Sequence, residues 1–283
     1  MIRHITNDEL ARYRADGVAK LPGFIDAEQV AAMLVALDEQ VANPGRWVTK
    51  SHYHSDRAFG LGVPELRDYL LDPVLGENVA RAMGSSSARF FFDHMFVFEP
   101  NTPVDDHYWH QDLPFWPVDG QHVVSIWLSL VDCTPESSAL KFVRGTHTEQ
   151  RFYPPLGFDG SPMVGDLGEL ASHAIDVRDL FHEHQAPPFH ENPEQHGVIE
   201  FSYEAGDAVL FSTRIVHSSG GNRSLTDRRV AYSARYVGDD ARLVLRRGVF
   251  QDPALLPEED QPFEIGAPLT SRRYPIVYEA HRK

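Results

Sequence analysis

His110 and Asp112 stand two residues apart at the end of the segment 107–112, and His217 closes a distant apolar run, Ala208 to Val216. On an extended backbone, side chains at i and i+2 point to the same side. An imidazole and a carboxylate so placed can grip one ion together, and a third ligand brought from elsewhere completes one face of its coordination sphere. Two histidines and one carboxylate arranged facially, with the remaining positions open, suit a non-haem iron(II) that activates oxygen.

The His-x-Asp tripeptide alone has little specificity in a chain with 15 histidines and 41 acidic residues. It recurs at His54/Asp56, with a relative at His147/Glu149. Context separates the three. His54 stands in a polar stretch, 49–57, with no apolar run before it, which reads as a loop. His147 lies just beyond the turn glycine Gly145. His110 lies instead between the aromatic-rich run Arg89 to Phe98 and the run Val123 to Val131, both of which read as buried strands.

Such strands need a scaffold. Thr6 to Glu9 carries a capping-box pattern ahead of Leu10 and Tyr13. Asp26 precedes a second expected helix, in which Val30, Met33, Leu34 and Leu37 recur at helical spacing. A short strand lies between them within Gly17 to Gly23, and a third helix is expected at 73–83. Further on, Ser125, Trp127 and Ser129 alternate with Ile126, Leu128 and Leu130, and Ala139 to Val143, Ala208 to Val216 and Arg229 to Val237 read as further strands. The pattern predicts one mainly-β domain over 1–283: bracing helices in the N-terminal part (5–85) and a jelly-roll core (86–245). That architecture gathers residues distant in sequence at its open mouth. The long stretch 148–200, with its prolines and His182, His184, His190 and His196, is expected to be a lid-like insertion.

Composition narrows the partners. A net charge of −15 argues against nucleic acid and anionic membranes, which need clustered Lys and Arg. No apolar run reaches the ~18 residues of a membrane span, and the first residues lack the apolar core of a secretory signal. Cys133 is the single cysteine, so no internal disulfide forms, and it reads as a spectator thiol. The expectation is a cytoplasmic protein acting on a small molecule.

The segments Phe92 to Pro100, Trp109 to Pro117 and Ser138 to His147, followed by Gly206 to Phe211, His217, Asn222, Arg228, Arg229 and Arg235 to Asp240, resemble the phytanoyl-CoA dioxygenase family in order over roughly residues 5–245. The resemblance implies a double-stranded β-helix that binds Fe(II), with 2-oxoglutarate as co-substrate and O₂ as oxidant. By position, His110 and Asp112 match the family's first two ligands and His217 its third. It also implies oxidative decarboxylation to succinate and CO₂ coupled to hydrogen abstraction, the protein supplying orientation and exclusion of water. The distal carboxylate of the keto-acid needs a cation, and a guanidinium offers two parallel donors. Family spacing from His217 falls on Arg228; strand parity favours Arg229, which shares the smaller, more polar face with Ala231, Ser233 and Arg235. Both are candidates. Trp127 matches a family aromatic beside the keto-acid, although a buried tryptophan is also ordinary in a sandwich core.

Two positions depart from the family pattern: Phe98 where many members carry lysine, and Ser138 where glycine is common. Iron halogenases resembling the family replace the carboxylate ligand by a small residue. Asp112 retains it, which favours hydroxylation over halogenation and leaves desaturation and ring closure open. Trp109, Phe115 and Trp116 flank the motif as candidate pocket walls for a partly apolar organic substrate, natural-product or lipid-like. No basic cluster offers a clamp for a CoA ester. The competing readings are a cupin-like isomerase or hydrolase using another divalent metal, and a jelly-roll binding or sensor module that holds metal without turnover.

Overall fold

The structure, a computed structural model, describes residues 1–50, 53–104, 108–154, 165, 167, 172, 174–176, 180–247, 249, 251–256 and 264–280. Helix α1 (Asn7–Asp16) starts at the expected capping box, Thr6 accepting from the Glu9 amide and Glu9 returning to the Thr6 backbone, and Gly17 ends it at φ 82. Strand β1 (Val18–Leu21) leads to α2 (Ala27–Ala42), capped by Asp26. Then come β2 (Thr49–Lys50), β3 (His54–Arg57), α3 (Pro64–Leu70), α4 (Pro73–Met83) and β4 (Ser87–Phe98). The later strands are β5 (Val118–Asp119), β6 (Val123–Ser129), β7 (Lys141–Val143), β8 (Ile175–Asp176), β9 (Val198–Glu200), β10 (Ala208–Ser212), β11 (His217–Ser218), β12 (Arg229–Val237), β13 (Arg242–Leu243), β14 (Arg246–Arg247) and β15 (Ile276–Glu279).

The major sheet runs β1-β10-β6-β12-β4-β3-β2, all antiparallel, and β15 pairs with β4 beyond β3. A smaller sheet, β11-β7-β9, forms the second wall. This is the mainly-β jelly roll expected. Alternation divides the major sheet. Phe90, Met95, Val97, Ile126, Leu128, Leu210, Val230, Tyr232 and Tyr236 face outward and bury the apolar sides of the helices in one core. Phe92, His94, Phe96, Phe98, Trp127, Phe211, Arg229, Ser233 and Arg235 face inward onto a cavity. The register of β4 on β12 shifts between Arg235 and Tyr236, opposite Phe92 and Phe90. Phe91 is the extra residue of that bulge, which lets Phe90 face the helices and Phe92 the cavity.

Three local expectations change. The stretch around His54 is a strand, because its backbone completes the edge of β4 and its polar side chains find partners there. Ser55 bonds His94 Nε2 at 2.6 Å, and Asp56 accepts from Gln40 and the Gly45 amide, each at 2.7 Å. The run Ala208 to Val216 is not one strand. Beyond Ser212 a turn, closed by the Ile215 amide on the Ser212 carbonyl, carries the chain across to the second sheet and delivers His217 there. The sheet also takes up residues past 245, since β15 returns to β4. No helix among the described residues is long and apolar enough to cross a membrane.

Candidate active site

His110 and His217 face each other across an isolated bridge, each amide bonding the other's carbonyl at 3.0 and 2.9 Å. The two rings are thereby fixed as neighbours. Asp112 is not on a strand: its backbone is helical (φ −71, ψ −43) and it heads the short turn Leu113–Phe115. Simple alternation therefore does not place it beside His110; the turn does. Its Oδ1 lies 3.7 Å from His110 Nε2 and 3.8 Å from His217 Nε2. The three donor atoms lie within 4.8 Å of one another, the only such group found among the described residues. Metal–ligand bonds of about 2 Å hold adjacent donors roughly 3 Å apart, so one ion spans this set after a small inward closure.

The protonation pattern fits a cation. His217 Nδ1 stands 3.1 Å from the Ile215 carbonyl, which can only accept, so the proton sits on Nδ1 and the Nε2 lone pair faces the cluster. Burial, and then the neighbouring His217, hold the His110 imidazolium pKa well below its ordinary range, leaving a neutral ring. Asp112 Oδ2 is buried with no hydrogen-bond partner among the described residues. A buried carboxylate oxygen left so is costly unless a charge compensates it.

The triad opens onto a cavity of about 330 Å³ walled by Phe92, Phe96, Phe98, Phe115, Trp116 and Trp127. The two arginine candidates part company here. Arg228 lies at the surface, paired with Asp38 at 2.7 Å and Glu99 at 3.1 Å. Arg229 is 2% exposed and lines the cavity; its Nε and Nη1 have no hydrogen-bond partner among the described residues. Its guanidinium carbon lies 4.7 Å from the Phe98 ring and 5.2 Å from that of Trp127. Burial lowers its pKa, and the Cys133 thiol, which hydrogen-bonds it, and the Tyr203 and Tyr53 hydroxyls oppose that. Trp127 Nε1, on the neighbouring strand β6, is likewise buried without a partner among the described residues. One end of the cavity is thus furnished for a carboxylate. Phe98, in place of lysine, supplies a ring face to Arg229 and stacks on Tyr53 at 4.7 Å.

Phe115 and Trp116 line the cavity as expected, but Trp109 does not. It faces away from its neighbour His110 and packs with Phe189, Val143 and Val216 in a separate cluster. Of the rival motifs, Asp56 turns toward Gln40, and the His147 ring lies where a side chain on Gly17 would have to go. Ser138, at the position where glycine is common, takes the left-handed conformation (φ 72) and bonds the Gly220 carbonyl at 2.8 Å. A described part of 148–200 meets the motif where the Tyr153 amide bonds Gln111 Oε1 at 3.0 Å, and the Phe152 amide bonds the Leu180 carbonyl within the segment. His182 and His184 stack beside Tyr153. His107 and most of 155–179 lie outside the described residues. Sequence reasoning missed the wall formed by Ser55, Arg57, His94, Arg235 and Asp252. Only Arg235 had left a signal, its parity with Arg229.

The sequence pattern of the phytanoyl-CoA dioxygenase (PhyH) family matches residues 13–230. Among curated proteins, the chain is 24% identical to an ectoine dioxygenase of Sphingopyxis alaskensis over 234 residues, 77% of this chain and 71% of that one. It is 23% identical to the multifunctional dioxygenase prhA of Penicillium brasilianum over 251 residues, 83% of this chain and 73% of that one. Among solved structures, it is similar to the epimerase SnoN in complex with Fe³⁺, alpha ketoglutarate and nogalamycin RO (TM-score 0.70, 23% identity, 96% of this chain and 98% of that one). It is also similar to EctD from S. alaskensis with 2-oxoglutarate and 5-hydroxyectoine (TM-score 0.63, 20% identity, 89% and 87%).

Proposed function

The chain belongs to the phytanoyl-CoA dioxygenase family, and from that membership and its cavity we propose that it is an Fe(II)- and 2-oxoglutarate-dependent oxygenase that hydroxylates a small organic substrate. The observation that carries the reading is one cavity holding both a His-Asp-His cluster and a buried guanidinium whose Nε and Nη1 have no partner among the described residues. His110, Asp112 and His217 hold the iron: two neutral imidazoles and one hard anionic oxygen, with an open face. Arg229 takes the distal carboxylate of the keto-acid, and Trp127 Nε1 offers a further donor at that end. The iron, when bound, supplies oxidative decarboxylation of the keto-acid and activation of O₂ toward a C–H bond. Oxygen, 2-oxoglutarate and a C–H bond enter; succinate, CO₂ and a C–OH leave, with one oxygen atom passing to each oxidised product.

This chain's residues orient and exclude. The aromatic walls keep bulk water from the cavity, which strengthens each charged contact inside it. The Asp112 carboxylate would take the coordination position that a halide would need, which supports hydroxylation over halogenation. The whole chain acts as one catalytic unit, with Tyr153 held to the motif through Gln111. Its lone thiol, Cys133, suits a reducing, cytoplasmic setting. Under anaerobic conditions, Fe(II) plus 2-oxoglutarate should give a visible metal-to-ligand charge-transfer band, absent in His217→Ala. No band, together with no succinate on admission of O₂ across a broad substrate panel, would overturn the proposal.

A further inference from the structure

Arg235 is the second buried guanidinium of the cavity, and binding of the keto-acid leaves it without a role. It is 5% exposed, and its Nε has no hydrogen-bond partner among the described residues. Nη1 bonds the carbonyl of Ser233, two residues back on the same strand, at 3.2 Å. The rings of Phe92 and Trp116 lie 4.7 and 5.5 Å from its guanidinium carbon. Among the described residues no carboxylate forms an ion pair with it, although Asp112, Asp93 and Asp252 favour its charge from a distance. Arg57 is paired with Asp252 at 2.5 Å, and His94 is held neutral by burial and by the charges of Arg235 and Arg57. Asp112 is the acid that bears on Arg235 most strongly, yet no ion pair joins the two.

The keto-acid cannot serve both arginines. Arg229 and Arg235 are six residues apart on β12, about 20 Å along an extended strand. Each guanidinium stays beside its cross-strand partner, Phe98 for Arg229 and Phe92 for Arg235. A five-carbon diacid is far shorter than that span. A keto-acid reaching from the metal to Arg229 therefore leaves Arg235 facing the other part of the cavity, where the apolar walls are Phe92, Phe115 and Trp116.

We propose that Arg235 binds a carboxylate of the organic substrate, so that the substrate is a compact acid with an apolar body, its head on Arg235 and its body along Phe92, Phe115 and Trp116. This deepens the oxygenase reading and rests on it. The guanidinium fork matches a planar carboxylate, and its burial makes the interaction strong. Arg235 lines the same cavity as His110 and Asp112, so the seat adjoins the metal ligands. The C–H bond oxidised then lies a few bonds from the acid head. A cavity of about 330 Å³ is at the lower end for small-molecule sites, which fits a short acid beside the keto-acid.

The test uses matched pairs, 3-phenylpropanoate against 3-phenylpropanamide and octanoate against octanamide. Each is titrated by calorimetry into the anaerobic Fe(II) protein with saturating 2-oxoglutarate. At least one acid should bind about ten-fold or more tightly than its amide. Arg235→Gln should erase that preference and Arg235→Lys restore part of it, with the 2-oxoglutarate midpoint of the charge-transfer band within about three-fold of wild type. Equal binding of acid and amide in every pair overturns the proposal on the wild-type protein alone. So does a preference that survives Arg235→Gln, or a keto-acid midpoint that moves instead. A missing band with the acid preference intact removes the iron and keto-acid reading and leaves the anion seat standing.

Discussion

Exchanging Arg229 for methionine keeps an apolar stem of similar length against Phe96, Phe98 and Trp127 and removes the donors that a keto-acid carboxylate would meet. Hydrogen bonds to a charged group are worth about 1.5–3 kcal/mol each, and truncating one partner of a buried charge pair costs about 2–5 kcal/mol. At about 1.4 kcal/mol per decade, Arg229→Met should weaken 2-oxoglutarate binding by roughly 30- to 4,000-fold. Arg228→Met removes ion pairs to Asp38 and Glu99, whose side chains are 56% and 64% exposed; such pairs contribute about 0–1 kcal/mol. It should leave keto-acid binding unchanged. Stability should move the other way from affinity. Without keto-acid, Arg229 is a desolvated cation with no carboxylate partner among the described residues, so Arg229→Met should unfold at the same urea concentration as wild type or a higher one. Anaerobic titration of the Fe(II) protein, following the charge-transfer band, gives the affinity. A keto-acid dissociation constant that stays within about three-fold in Arg229→Met, or that rises more in Arg228→Met, refutes the assignment of roles to the two neighbours.

Asp112→Asn preserves the shape of the third ligand but removes its charge, and Fe(II) affinity, measured by chelator competition, should fall by more than the roughly 10–100-fold that losing an outer-shell partner costs. Burial pushes the carboxyl of Asp93 up from its ordinary 3.8 to about 6, against the opposing bonds from the Gly60 amide and Tyr232. The folded protein therefore holds the Asp93 proton more tightly than the unfolded chain, so this stabilising contribution is complete below about 3.8 and is lost as pH rises to about 6. Asp93→Asn removes that slope. Urea unfolding at pH 4.5 and 7.5 should show the variant gaining on wild type as pH rises, by on the order of 2 kcal/mol, and a difference independent of pH would contradict the burial argument.

The fold was legible because the major sheet buries both faces in a way that alternation records. Ser125, Trp127 and Ser129 against Ile126 and Leu128, and Arg229, Ala231, Ser233 and Arg235 against Val230 and Tyr232, each split into a cavity face and a helix face. Parity on β12 therefore chose correctly which neighbour faces inward, where family spacing pointed to Arg228. The reason is mechanical: spacing counts residues through the loop between His217 and β12, whose length can vary, whereas parity is enforced by the pleat.

The same rule misled at Asp112 and was silent at β3. Asp112 reaches the cluster from a helical turn, so alternation named the right residue for a reason the backbone does not follow. The carboxylate is placed by the turn that Leu113, Pro114 and Phe115 make, together with the Leu113 amide bonding the Thr213 carbonyl, a contact between segments far apart in the chain. Strand β3 hides because its buried residues, Ser55 and Asp56, are polar and are satisfied by partners at positions 40, 45 and 94. Periodicity registers apolar burial only; a polar residue satisfied across the fold looks like a loop residue until its partner is known. Arg235 is the converse case. Its face was legible and its solitude was not, because Asp252, the one acid beside it past residue 245, is already committed to Arg57. The absence, among the described residues, of a spare carboxylate for Arg235 is a property of the three-dimensional charge balance, and it is what makes an anion from outside the protein its natural partner.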